Sequence, residues 1–95
     1  MSVEVVIKEE LYAFMRRLAP EPRGAMRRAL KDLRQEKGDI RSLDQSLAGY
    51  YRLRVGKFRV IFRYRDGNTI DALYAAERGI VYEVFAEEFA KKLRL

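Results

Sequence analysis

Between Tyr50 and Arg65 the sequence reads YYRLRVGKFRVIFRYR. Arg52, Arg54, Lys57, Arg59, Arg63 and Arg65 fall in this one stretch without a single acid. A guanidinium stays protonated at any useful pH and offers a planar fork of donors that fits a phosphate. Such a group is a poor proton carrier but a good holder of negative charge. The chemistry these residues suit is therefore the gripping of a polyanion.

The rest of the composition narrows the field. The 95-residue chain has no His and no Cys. It thus lacks the commonest general base, the commonest zinc ligand, and any disulfide or thiolate metal site. The formal charge is +6, and residues 50–65 supply all of it, because the remaining 14 basic and 14 acidic residues cancel. Charge gathered in one hairpin-sized segment points to a polyanionic partner, nucleic acid above all. Arginine outnumbers lysine 14 to 6. The plain alternative is a soluble protein from a GC-rich genome that is generally rich in arginine. Apolar runs do not exceed five residues, far short of a membrane span. With no basic-then-apolar leader, the expectation is a cytoplasmic protein folded as one domain over residues 1–95.

The elements that must carry these arginines follow from periodicity. Val3–Ile7 is a β-branched run that predicts a first strand. Leu11, Phe14, Met15 and Leu18 recur at helical spacing, with acids early and Arg16 and Arg17 late. Pro20 and Pro22 close this helix and open a second, whose apolar face is Met26, Ala29, Leu30 and Leu33 and whose stop is Gly38. Asp39–Ala48 reads as an irregular connection. Strands follow on either side of a Gly56-Lys57 turn, then a hairpin at Asp66-Gly67-Asn68, where Gly and Asn accept positive φ, then a strand over Ile70–Ala76. Phe85, Phe89 and Leu93 at four-residue steps predict a terminal helix from about Tyr82. No repeat or linker interrupts the chain.

Period two then places the arginines. Arg52 and Arg54 share a face opposite Tyr51, Leu53 and Val55, and Arg59 and Arg63 share a face opposite Val60, Phe62 and Tyr64. If the helical hairpin covers the apolar side, the guanidinium groups project together from an uncovered, concave, positive face. A bulge would move some of them.

The run LAGYYRLRVGKFRVIFRY, with Leu47, Gly49, Tyr51, Arg52, Leu53, Arg54, Val55, Gly56, Arg59, Val60 and Ile61 in pattern, resembles the RelE/ParE toxin superfamily. So does ERGIVY, which keeps Arg78 and Tyr82 at the family spacing. The two motifs span about 40 residues; the N-terminal half agrees in pattern only. The resemblance implies an α+β fold: an N-terminal strand and helical hairpin packed on a small twisted, mainly antiparallel sheet, with a C-terminal helix. It implies the toxin of a toxin–antitoxin pair, acting as a ribosome-dependent, metal-independent mRNA endonuclease in which a ribose 2′-hydroxyl attacks the adjacent phosphate. No cofactor is implied. Arg59 and Arg78 match arginines that hold the scissile phosphate. Tyr82 matches a tyrosine that moves protons in some members and positions RNA in others. Arg52 and Arg54 stand where well-studied members have lysines, and Glu77 stands where relatives often have His. Tyr82 is therefore the leading candidate base and Glu77 the reserve.

On this reading Arg59, Arg78, Tyr82 and Arg54 are catalytic, while Arg52, Lys57, Arg63 and Tyr50 contact RNA. Each has a structural alternative. Arg59 can pair with Asp71, Arg78 with Glu77 or Glu83, Tyr82 and Tyr50 can simply pack, and the remaining cations can make general phosphate contacts. Two other functions stay open. One is a ParE-like inhibitor of DNA gyrase, although such chains usually lack the closing element that reads RGIVY here. The other is a weakened toxin that binds but cuts poorly. The implied partners are the ribosome with its mRNA, and an acidic antitoxin wrapped on the basic face or the C-terminal helix in a heteromeric complex.

Overall fold

A computed structural model of the chain describes residues 2–87. The predicted helix positions Phe89, Lys91, Lys92, Leu93 and Arg94 lie outside the described residues. Strand β1 spans Glu4–Ile7 and is followed at once by helix α1, Glu9–Arg16. Leu11 and Met15 are its buried face, with Glu9 and Glu10 in the first turn and Arg16 in the last. Helix α2 spans Pro20–Leu33 and buries Met26, Leu30 and Leu33. Ala19 is extended before Pro20, the conformation a pre-proline residue prefers, and Pro20 takes the first helical position, where no N–H is needed. The tight reversal between the helices is sealed by Arg23. Its Nη2 donates to the carbonyls of Leu18 at 2.7 Å and Arg16 at 3.0 Å, and its Nε donates to Met15 at 3.2 Å. Carbonyls at the end of α1 thus gain a donor from α2, and that of Met15 also accepts the Leu18 N–H at 3.1 Å.

Four further strands complete the sheet: β2 (Asp39–Ser42), β3 (Tyr51–Val55), β4 (Phe58–Asp66) and β5 (Thr69–Glu77). The order is β1-β5-β4-β3-β2, antiparallel except for the parallel pairing of β1 with β5. This is the α+β arrangement expected. The connection expected over Asp39–Ala48 is corrected: its first four residues form edge strand β2, and Gln45–Leu47 form a 3-10 turn. Only Ile40 of β2 is half-buried, so its alternation was too short to stand out. The β3–β4 turn is Gly56-Lys57, with Val55 opposite Phe58 and Gly56 at φ +59. The β4–β5 turn forms where expected but by other means. Neither Gly67 nor Asn68 takes positive φ; the Asp66 carboxylate instead accepts the Asn68 N–H at 2.8 Å.

Register shifts between Ile61 and Phe62, and between Tyr64 and Asp66, leave Leu73 and Arg65 as extra residues. They are bulges that twist this hairpin. The main core lies between sheet and helices, where Leu53, Val60, Phe62 and Ile70 meet Leu11, Met26, Leu30 and Leu33. Removing a ring as deeply buried as Phe62 costs about 3–5 kcal/mol in comparable cores. The opposite face is not left uncovered as expected. Helix α3 (Val81–Phe85) folds onto it, and Val81 and Phe85 join Leu47, Ile61, Leu73 and Ala76 in a second, smaller core.

Candidate functional site

The basic face is built on the strand rows. Asp39 of β2 lies opposite Arg54 of β3, and Arg54 lies opposite Arg59 of β4. Arg41 lies opposite Arg52, and Arg52 opposite Ile61. The residues that alternate with these, Leu53, Val60 and Phe62, point into the main core. Arg52, Arg54, Arg59 and Arg63 therefore share the face away from the helical hairpin.

Arg59 is the most buried of them, at 9% exposure. Its Nη1 donates to the carbonyls of Gly56 and Phe58, both at 2.9 Å. It does not pair with Asp71, the partner considered from sequence. Gly56 is in the left-handed region, at φ +59, and its carbonyl is one of the two acceptors, so this turn forms part of the seat of Arg59. Arg78 is carried to the same turn: its backbone N–H donates to the Lys57 carbonyl at 3.0 Å. Its side chain is exposed and pairs with no carboxylate among the described residues. Glu77 and Glu83, considered as its partners, do not hold it. Glu77 meets Lys57 instead, at 3.7 Å, with both side chains largely exposed. Arg54, Arg59, Lys57, Glu77 and Arg78 are thus gathered at the β3–β4 turn.

The other cations are held by carboxylates from outside their own segment. Arg52 is 12% exposed in its side chain, and its Nη1 contacts Asp39 Oδ1 at 3.1 Å and the Asp39 carbonyl at 2.8 Å. Arg54 stands 4.0 Å from the other oxygen of the same carboxylate. Asp71 on β5, with its side chain 3% exposed, accepts two hydrogen bonds from Arg65 and lies 3.9 Å from Arg63. The hydrogen bond from Arg65 holds the Asp71 carboxyl below its ordinary range and outweighs the opposing effect of burial; the charges of Arg65, Lys8 and Arg63 act in the same direction as that bond. Six cations that are uncompensated along the sequence are therefore partly compensated in space.

Tyr82 lies in the first turn of helix α3, half-buried at the margin of the second core. It lines a cavity of about 300 Å³ with Leu43, Asp44, Gln45, Ser46 and Leu47. Tyr50, which sequence placed against RNA, packs its ring edge-on to Phe85 at 5.0 Å and serves the second core. Sequence reasoning did not pick out Asp39 or residues 43–46 of this wall, and it took Leu47 only as part of the motif. The only signal for Asp39 was the polar–apolar–polar alternation of Asp39, Ile40 and Arg41. Among the described residues no group of His, Cys, Asp or Glu is arranged to hold a metal, and no helix is long and apolar enough to cross a membrane.

No protein-family model matches the chain, and no curated protein matches it in sequence. Solved structures do match it. A chain of the RelBE2 toxin–antitoxin complex from Mycobacterium tuberculosis superimposes with a TM-score of 0.74 at 23% identity, covering 82% of this chain and 100% of that one. A chain of the archaeal RelE–RelB complex from Pyrococcus horikoshii gives 0.67 at 24% identity, over 83% and 98%. The YoeB/ParE toxin from Agrobacterium tumefaciens gives 0.65 at 15% identity, over 80% and 99%. At these identities the likeness is one of fold: the chain has the RelE-like α+β fold.

Proposed function

We propose that this chain, on its RelE-like fold, is the toxin of a toxin–antitoxin pair and cuts messenger RNA on the ribosome. The observation that carries the proposal is the β3–β4 turn. Arg54, Arg59 and Arg78, from two strands and the end of a third, gather there: Arg78 is exposed and pairs with no carboxylate among the described residues, Arg54 is loosely held by Asp39, and Arg59 is bonded only to carbonyls. The fold of RelE, YoeB and ParE structures supports the same reading.

In the reaction a ribose 2′-oxygen forms a bond to the neighbouring phosphorus as the bond to the 5′-oxygen breaks. The products are a cyclic phosphate and a 5′-hydroxyl. Arg78 and Arg59 neutralise the charge that grows on the phosphate oxygens. For Arg59 this means exchanging turn carbonyls for phosphate oxygens, so that a cation bonded to neutral acceptors comes to face an anion and adds ion-pair attraction to the hydrogen bonds. Tyr82 takes or returns the proton, and Glu77, loosely held by Lys57, is the second candidate. Arg52, Arg63 and Lys57 grip the backbone. An acidic antitoxin binds the chain and silences it. The test is a purified translation system with wild type, Arg59→Ala and Tyr82→Phe. Both variants should lose message cleavage, while equal activity in all three would defeat this assignment.

A second reading is favoured by one observation: Arg59 is turned into the protein, an arrangement that a purely binding toxin tolerates. In that case the target is DNA gyrase, and the chain should abolish supercoiling by purified gyrase and leave the message intact.

A further inference from the structure

Two acids each reach a pair of the arginines of the 50–65 segment, and they differ in kind. Asp71 is sealed in and serves Arg65 and Arg63. Asp39 is 46% exposed in its side chain, sits on the edge strand β2, and reaches both Arg52 and Arg54. Two features set Asp39 apart. Its carboxylate and its backbone carbonyl both engage the same Nη1 of Arg52, so Arg52 is fixed by a clamp from one residue. It also heads the row Asp39–Arg54–Arg59 that crosses the sheet to the β3–β4 turn.

We propose that Asp39 is a positioning residue and the adjustable counter-charge of the basic face. It holds Arg52 and Arg54 in one arrangement and at the same time competes with RNA phosphate for them. This inference rests on the reading of the face as an RNA site.

The competition follows from the chemistry of the groups. A guanidinium offers its donors to a carboxylate or to a phosphate with similar geometry. While Asp39 occupies Arg52, an incoming phosphate has to displace it or share the fork. With the carboxylate removed, Arg52 retains the Asp39 carbonyl as an acceptor but gains a full unit of unopposed charge. RNA should then bind more tightly and less specifically. The two guanidinium groups, no longer tethered, should stabilise a reacting phosphate less well. A residue that merely supports the strand would weaken binding and reaction together, so opposite signs mark the proposed role.

Asp39→Asn tests this because it keeps size and removes charge. Glu21→Gln, an exposed acid in the first turn of α2, makes the same change in net charge away from the face. Binding of a short fluorescent single-stranded RNA is measured against salt, and message cleavage is measured on translating ribosomes. Asp39→Asn should bind the RNA about three- to tenfold more tightly at low salt. Its plot of log affinity against log salt should be steeper by about one unit of slope. Its maximal cleavage rate should fall while the substrate concentration for half-maximal rate does not rise. Glu21→Gln should match wild type in slope and rate. The proposal is overturned if Asp39→Asn and Glu21→Gln behave alike, or if Asp39→Asn loses affinity and rate together. Failure of the functional reading looks different: wild type then cuts no message, although the change in RNA affinity between wild type and Asp39→Asn is still measurable.

Discussion

Asp71 shows most directly how charge and fold are linked at the level of single residues. It is buried, ionised and hydrogen-bonded by Arg65, and its carboxyl is held below the ordinary range. A depressed carboxyl pKa stabilises the fold above the unfolded value near pH 4, and that contribution is lost as pH falls through the folded value. Asp71→Asn should therefore lower stability at neutral pH. The difference between variant and wild type should close on acidification below about pH 4, which denaturant melts across pH would read directly. Arg59 belongs to this scale too. If it holds the reacting phosphate, Arg59→Ala should reduce cleavage about 10²- to 10³-fold, a larger loss than freeing the Gly56 and Phe58 carbonyls from their donor explains through stability. Circular dichroism beside the cleavage assay separates the two effects. The types and spacing of these residues were legible in the sequence; their partners were not. Nothing between Tyr50 and Arg65 announces that Asp39 and Asp71 supply the counter-charge, because both arrive through strand pairing.

Among the elements, the β3–β4 turn and the helical reversal do the most positioning. Gly56, at φ +59, closes the turn and supplies one of the two carbonyls that hold Arg59. A side chain there is strained by about 1 kcal/mol or more. Gly56→Ala should lower the melting temperature modestly and lower cleavage by a larger factor than the stability loss explains, because the seat of Arg59 moves. Arg23→Ala should act on stability alone. It removes the donor shared by three carbonyls at the end of α1, at a cost of about 1–3 kcal/mol, and the RNA face should keep its affinity once the chain is folded. Both helices, β3, β4, β5 and the Gly56 turn were legible, since each has several apolar residues on one clear period. Edge strand β2 was not, with one half-buried residue in four, and neither was the second core. Ile61 sat in sequence among the charged positions Arg59 and Arg63, and its neighbours Leu47, Leu73, Ala76, Val81 and Phe85 are brought together from the 3-10 turn, β5 and α3.

The whole molecule has two faces with separate work. The helical hairpin closes the main core, and the other side of the sheet divides between a small core under α3 and a basic strip at the β3–β4 end. Net charge of +6 with most of the excess on that strip predicts binding to single-stranded RNA that weakens steeply with salt, the slope reporting the number of phosphates engaged. The central claim is that a 2′-hydroxyl in the message, held against these arginines on the ribosome, attacks its own phosphate. Its most direct test uses ribosomes paused with a defined A-site codon, on messages that differ only by a 2′-deoxy substitution in that codon. The account predicts a cut in the all-ribose message, ending in a cyclic phosphate, and none in the deoxy message. An intact all-ribose message, or equal cutting of both, would contradict it.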